Sequence, residues 1–359
     1  MRMRTSISKA IFWFCLAACP SLAQAQMFFE ADAVFLGRNQ NGGTTIAPGI
    51  STNTGSYGAE SGYRISIGSI LDTWQVDATF TQISPWTGEV DRLDSSSINL
   101  ATGLEFEGFL NTAADASLPT PVYSLNLDNF EAASRSNYRD VEIMIGSSYA
   151  NHRWRVAGGY RHAQLDEQNG LLMEGAFAEA PIGAGLDPIA LLDAGATYVT
   201  GVPAAITNNT PVQYALQSQT TNHLNGFQTT FGVQFVDGRW LTLEGIAKAG
   251  IYHNQMSGRV TEILRAETGA PASVYQQIHS GKKSGAAFIG NLGLRAVIGV
   301  TDYIDIVGGG EVLFLSGVAL GNDQYNGVSQ TMVGTSAYEV QNRGSMVAYG
   351  GNIGLRIYW

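Results

Sequence analysis

The sequence predicts an all-β protein: an antiparallel up-and-down transmembrane β-barrel of about ten strands with long extracellular loops. Three observations carry that prediction. Apolar and polar residues alternate with period two in segments that recur to the last residue. Short and long links alternate without exception between those segments, and aromatic residues gather beside the short links. Charged residues are 14% of the 359, against about 25% in an ordinary soluble domain. Glycine, at 43 residues, is well above its usual share of about 7%. No stretch after the first 25 positions approaches the length of a helical span, which excludes helical membrane crossing. With 30 Asp+Glu against 20 Lys+Arg, the chain also lacks the basic character of a nucleic-acid binder.

The chain opens on a leader. Arg2, Arg4 and Lys9 precede an apolar run over 10–18, and Ala23-Gln24-Ala25 supplies small residues for cleavage. This predicts a signal peptide over 1–25 and one barrel domain over 26–359. Leu16-Ala17-Ala18-Cys19 offers a rival, lipoprotein-like reading in which Cys19 is acylated. Both cysteines, Cys15 and Cys19, lie in the leader, so the remainder can form no disulfide and no thiolate metal site. Removing the leader leaves 17 basic against 30 acidic residues, a net charge of −13.

Ten segments alternate. The first two, 28–36 and 57–69, do so weakly. The third sets Trp74, Val76, Ala78 and Phe80 against Gln75, Asp77, Thr79 and Thr81. The fourth and fifth, 138–149 and 153–163, are again weaker. The sixth sets Phe227, Phe231, Val233 and Phe235 against Gln228, Thr230 and Gln234. In the seventh, Leu241, Leu243, Ala247 and Ile251 oppose Thr242, Glu244 and Lys248. Phe288, Leu292, Leu294 and Ala296 oppose Asn291 and Arg295 in the eighth, and Ile304, Ile306, Val312 and Phe314 oppose Asp305 and Glu311 in the ninth. The tenth carries Val347, Tyr349, Ile353, Leu355, Ile357 and Trp359 opposite Asn352 and Arg356. Weak alternation over 97–106 and 122–127 leaves twelve strands as an alternative.

Links at 70–73, 150–152, 237–239 and 301–302 are short, whereas 37–56, 84–136, 165–223, 253–284 and 316–344 are long. All tight turns then fall at one end and all long loops at the other, as in membrane barrels. Segments of about 9–11 residues suffice to cross a bilayer at the usual tilt. Trp74, Trp154, Trp240 and Tyr303 open strands that follow tight turns and Trp359 closes the last, so these five are expected as interface aromatics at the periplasmic end. The parity of Trp240 puts it off the apolar face, and Trp86 falls in a long loop.

With the apolar face on lipid, the polar face lines a lumen. The expected lumen set is Glu30, Asp32, Arg64, Asp77, Glu142, Arg155, Glu244, Lys248, Arg295, Asp305, Glu311 and Arg356, with Glu60, Asp140 and Arg161 beside them. Arg295, Glu311 and Arg356 fall on successive strands, and closure would bring Asp32 next to them, so cross-strand ion pairs are expected. Such a set could line a narrow pore that selects solutes by charge, or simply plug the interior. A barrel of eight strands is just filled by side chains while one of 16–18 conducts, and ten leaves both readings open.

The leader, the dyad strands and the terminal run 347–359, ending in Tyr358-Trp359, together resemble bacterial outer-membrane β-barrel proteins of the porin-like, pore-forming group. The resemblance implies the outer membrane of a Gram-negative-type bacterium and contact with outer-membrane lipid. It further implies recognition of the C-terminal strand by the barrel-assembly machinery. Small solutes or ions would be partners if the lumen is open.

No enzyme chemistry is expected. His152, His162, His223, His253 and His279 are all placed in turns, loops or strand ends, and no Gly-x-Ser-x-Gly elbow occurs. Ser280-Gly281-Lys282-Lys283-Ser284 lacks the glycine and hydroxyl of a phosphate loop. No spacing suggests a metal site, and no cofactor is implied. The expected function is a small passive channel with a charged, narrow lumen. The alternative is a structural or adhesive barrel, plugged inside, that binds through its loops.

Overall fold

The alternating segments close into a ring in the computed structural model, which describes residues 25–39, 43–53, 57–92, 96–100, 103–116, 122–149, 152–180, 185–330 and 336–359. Residues 1–24, nearly all of the predicted leader and including Cys19, lie outside the described residues. Ten strands form the ring: β1 (Gln26–Asn39), β2 (Tyr57–Leu71), β3 (Trp74–Arg92), β4 (Val122–Ser147), β5 (Trp154–Ala180), β6 (Pro211–Asp237), β7 (Leu241–Ala266), β8 (Ser273–Gly299), β9 (Ile304–Val318) and β10 (Gly344–Tyr358). Each pairs antiparallel with the next, and β10 returns to β1 from Phe28↔Tyr358 to Asn39↔Val347. Closure removes the open edges that a flat sheet would leave. The ring count is ten, not twelve. The 97–106 region contributes only a short strand, Ser97–Asn99, on the flank of β4, and 122–127 is the beginning of β4 itself.

Tight turns form where the residues permit them. Leu71 pairs with Trp74 across a two-residue turn in which Asp72 takes a φ of 50°, a left-handed conformation that Asp tolerates better than most residues.

Three of the five expected loops shrink. Strands β4–β8 have 26 or 27 residues each, far more than the roughly 9–11 that cross a bilayer. The connections expected over 84–136, 165–223 and 253–284 reduce to 93–121, 181–210 and 267–272, whereas 37–56 and 316–344 stand within three residues as 40–56 and 319–343. The cause is visible on β6. In its lower part Phe227, Phe231 and Phe235 are exposed while Gln228 and Thr230 are buried. In its upper part Val212, Tyr214 and Leu216 are buried while Gln213, Gln217 and Gln219 are exposed. The period never breaks; the polarity of the two faces exchanges. A stripe followed along one face therefore ends although the strand continues. Trp86, expected in a loop, is fully buried on β3 and donates its indole N–H to the Leu36 carbonyl at 2.7 Å.

The upper interior is an apolar core. Leu171, Met173 and Phe177 of β5, Tyr214 and Leu216 of β6, and Val260 and Leu264 of β7 line it. The connections fill it with Ile46, Ile50, Phe106, Leu186 and Tyr325, together with Phe109 and Leu110 of helix α1 (Phe109–Ala116) and Leu191 of helix α2 (Pro188–Asp193). α2 starts as its sequence dictates: Pro188 occupies its first turn, and Asp187 Oδ1 accepts from the Ile189 N–H at 2.9 Å.

Candidate functional site: the charged lumen

Inward parity gathers the whole expected lumen set, with Asp140 and Arg161, around one cavity of about 520 Å³ in the lower barrel. It is bordered at the tight-turn end by Gln75, Arg239 and Trp240. A charge removed from water needs a partner, and each lysine and arginine of the set has one. Glu30 accepts from Arg295 and, at 2.7 Å, from Arg356. Arg64 meets Glu311 at 2.5 Å and Arg155 meets Asp77 at 2.5 Å. Arg161 bonds Asp140 and lies 3.3 Å from Glu142, which also holds Lys248 at 2.6 Å. Glu244 accepts from the Gln234 amide at 3.2 Å, and Asp305 from the Tyr358 hydroxyl at 2.9 Å. Glu60 has no ion pair among the described residues.

The pairing pattern departs from the expectation of neighbours. Most of these pairs are chords across the ring, joining β1 to β8, β2 to β9, β3 to β5 and β4 to β7. Glu311 reaches Arg64 rather than Arg295, and Glu30 rather than Asp32 holds the two arginines. Asp32 Oδ1 is buried without a hydrogen-bond partner, opposite Gly354 in register. A Cβ at Gly354 would stand 2.1 Å from that oxygen, so the small residue is what admits the carboxylate. Each of these four pairs passes over one or two intervening strands.

Above the charged layer lies an apolar one. Leu36, Tyr57, Ile83, Tyr138, Leu165, Leu224, Tyr252, Ile289, Leu313 and Met346, one from each strand, pack as a single buried cluster. Hydrophobic constrictions in pores gate by dewetting.

The chain between β9 and β10 then folds inward over this layer as Ala319, Leu320 and a 3-10 turn, Gly321–Gly327. Its backbone is held by β6 and β5. Asn222 donates to the Ala319 carbonyl at 2.8 Å and accepts from its N–H at 2.7 Å. Thr220 donates to the same carbonyl at 2.9 Å, and Ser218 to that of Gly321. Glu167 accepts from the Gly321 N–H at 2.9 Å and pairs with buried Arg38 at 2.5 Å. This socket was missed in the sequence, yet a signal existed. Ser218, Thr220 and Asn222 interrupt an inward face that is otherwise Tyr214, Leu216 and Leu224.

Helix α1 is docked on β7 by one carboxylate. Glu262 accepts from the N–H groups of Phe109 and Leu110 at 2.7 and 3.0 Å and from the Tyr214 hydroxyl at 2.6 Å. Burial pushes its pKa up to about 7, against the pull of those three donors.

Other predicted positions fall as follows. Trp74, Trp154, Tyr303 and Trp359 are exposed at the tight-turn end of the exterior. Trp240 belongs to the turn before β7, with the Arg239 guanidinium 6.0 Å from its ring centroid. The histidines need correction. His152 precedes β5, but His162, His223 and His253 stand outward in mid-strand, and His279 is buried within β8. His223, His253 and His279 lie in ranges that the inverted polarity disguised as loop, whereas His162 lies near the end of the expected segment 153–163, which continues to Ala180. Carboxylate oxygens of Glu89, Asp91 and Glu131 lie within 4.8 Å of one another on the flank of β3 and β4; such mainly exposed groups commonly occur without a metal.

A closed up-and-down barrel, apolar outside and charged inside over the same stretch, has the architecture of a transmembrane β-barrel. No protein-family model and no curated protein matches the sequence. In fold the chain is similar to the outer membrane protease OmpT from Escherichia coli, at 9% identity and a TM-score of 0.37, over 93% of this chain and 97% of that one. It is similar to the translocator domain of the autotransporter NalP from Neisseria meningitidis at 9% identity and a TM-score of 0.30, over 98% and 96%. A major outer membrane protein from Thermus thermophilus gives 10% identity and a TM-score of 0.27, over 93% and 99%. The ring, its apolar exterior and its charged interior define the class without these likenesses.

Proposed function

We propose that the chain is a plugged outer-membrane β-barrel that anchors a rigid, loop-filled extracellular wall and acts through that wall. The observation that carries this reading is the sequence of three layers across the lumen: the ion-pair chords, the apolar cluster with one residue from every strand, and the inserted turn Gly321–Gly327. The leader is removed near Ala25, the tight turns face the periplasm, and the C-terminal strand ending at Trp359 is the part engaged by the assembly machinery. The test is conductance in planar bilayers after insertion of the folded protein. The expected result is no stepwise current, and steps in the native protein overturn the reading.

The cavity of about 520 Å³ beside Arg239 and Trp240 favours a second reading, a narrow passive channel for small ions that opens when the inserted turn leaves. In that case deletion of 321–327 produces current, and substitution of Glu311 or Arg295 changes its ion selectivity. In the plugged barrel the same substitutions change only thermal stability.

A further inference from the structure

Directly above the apolar band, the outer wall of β4–β8 becomes cationic, in a chain with 30 acidic and 20 basic residues. Register orders that wall in rows. Ile143, Tyr160, Phe227, Ile251 and Phe288 form one continuous row of the band. The next row up holds His162, Asn225 and His253, and the one above it Arg139, Gln164 and His223. Two rows more add Lys282 and then Arg135 with Arg259. Across these four rows of five strands stand four lysines and arginines and three histidines, against one carboxylate, Asp166.

Among the described residues these groups have no ionic partners. Arg135, Arg139, Arg259 and Lys282 are exposed, and among the described residues none of them has an ion pair, whereas every lysine and arginine of the expected lumen set has one. Two are oriented by neutral neighbours. Gln164 Oε1 accepts from Arg139 Nε and Nη2 at 3.2 and 2.6 Å, which leaves the rest of the guanidinium fork outward. Asn225 Oδ1 lies 2.8 Å from His162 Nδ1 and accepts from the Tyr160 hydroxyl at 2.7 Å. The His162 ring stacks on His223 at 6.2 Å, and its second nitrogen remains available. Among the described residues the side of the barrel formed by β9, β10 and β1 has no such rows, because β9 and β1 end close above the band.

We propose that this wall binds the phosphate-bearing headgroups of lipids in the surrounding leaflet. The inference rests on the membrane-spanning reading, which puts headgroups at the height where the apolar band ends. Phosphoryl oxygens match the donors present: arginine offers a planar fork, lysine a point charge, and histidine a ring N–H. Asp166 lies inside the patch and opposes the same charge.

The test uses the folded protein in phosphatidylcholine vesicles with and without phosphatidic acid. Heat-dependent gel migration is read first; failure to fold into neutral vesicles counts against the membrane reading and not against the patch. Given insertion, phosphatidic acid is expected to raise the melting temperature of the native protein. The combined variant Arg135→Gln, Arg139→Gln, Arg259→Gln, Lys282→Gln keeps the neutral-vesicle value and loses the rise. Its affinity for phosphatidic acid in detergent falls at least about tenfold, while Asp166→Asn binds more tightly. An equal rise in native and variant proteins overturns the proposal. So does an absent rise in the native protein, or an equal response to oleate, an anion without phosphate.

Discussion

On β7, Leu243 and Ile251 face outward below His253, whereas Val260 and Leu264 face inward above it. The inward residues show the reverse: Glu244 and Lys248 below, an apolar wall above, with Glu262 as its one charge. The lower half is thus an inside-out barrel and the upper half an ordinary one, on the same unbroken strands. A strand's period follows from its geometry, whereas which face is apolar is set by what lies outside it. Lipid demands one answer and water the other.

The largest expected effect attacks the lower interior. Arg161→Met removes the cation that serves buried Asp140 and Glu142. It is expected to destabilise the barrel by about 3–5 kcal/mol in urea unfolding from vesicles. A loss below about 1 kcal/mol would mean that the carboxylates reach water there.

A paired substitution on β6 contrasts the two exteriors. Phe231→Arg, in the apolar band, is expected to cost about 2–4 kcal/mol. Gln219→Arg, twelve positions away on the same face, is expected to stay within about 0.5 kcal/mol. Equal costs would dissolve the distinction between the halves.

The smallest effect concerns the upper interior. Burial raises the Glu262 pKa from 4.5 to about 7, so its protonated form is the one favoured in the docked state. Docking of α1 is therefore strongest below about pH 4.5 and is weakened as pH rises through about 7. Amide exchange over 109–116, corrected for intrinsic rate, is expected to quicken between about pH 5 and pH 8. Glu262→Gln flattens that dependence; an unchanged slope in the variant would assign it elsewhere.

The ring was legible because lipid-facing alternation and tight turns at 70–73 and 301–302 are local signals. Parity alone assigned Glu30, Arg295 and Arg356 to the interior. Their chords were not legible, since which residues meet across a lumen depends on ring curvature and relative strand height. The upper strands were hidden by the assumption that one face stays apolar throughout. The inserted turn was hidden for a different reason. Asn222, Thr220 and Ser218 bind backbone groups of Ala319 and Gly321, and a backbone acceptor leaves no trace in residue type.

The most direct test of the exchange of polarity is a cysteine scan along β6, which is practical because residues 25–359 contain no cysteine. Single cysteines at 213, 217, 219, 227, 231 and 235 carry a fluorophore, read against a quencher in the acyl chains and another in water. Acyl-chain quenching is expected at 227, 231 and 235 and aqueous quenching at 213, 217 and 219. Acyl-chain quenching along all six positions, or aqueous quenching along all six, would contradict it.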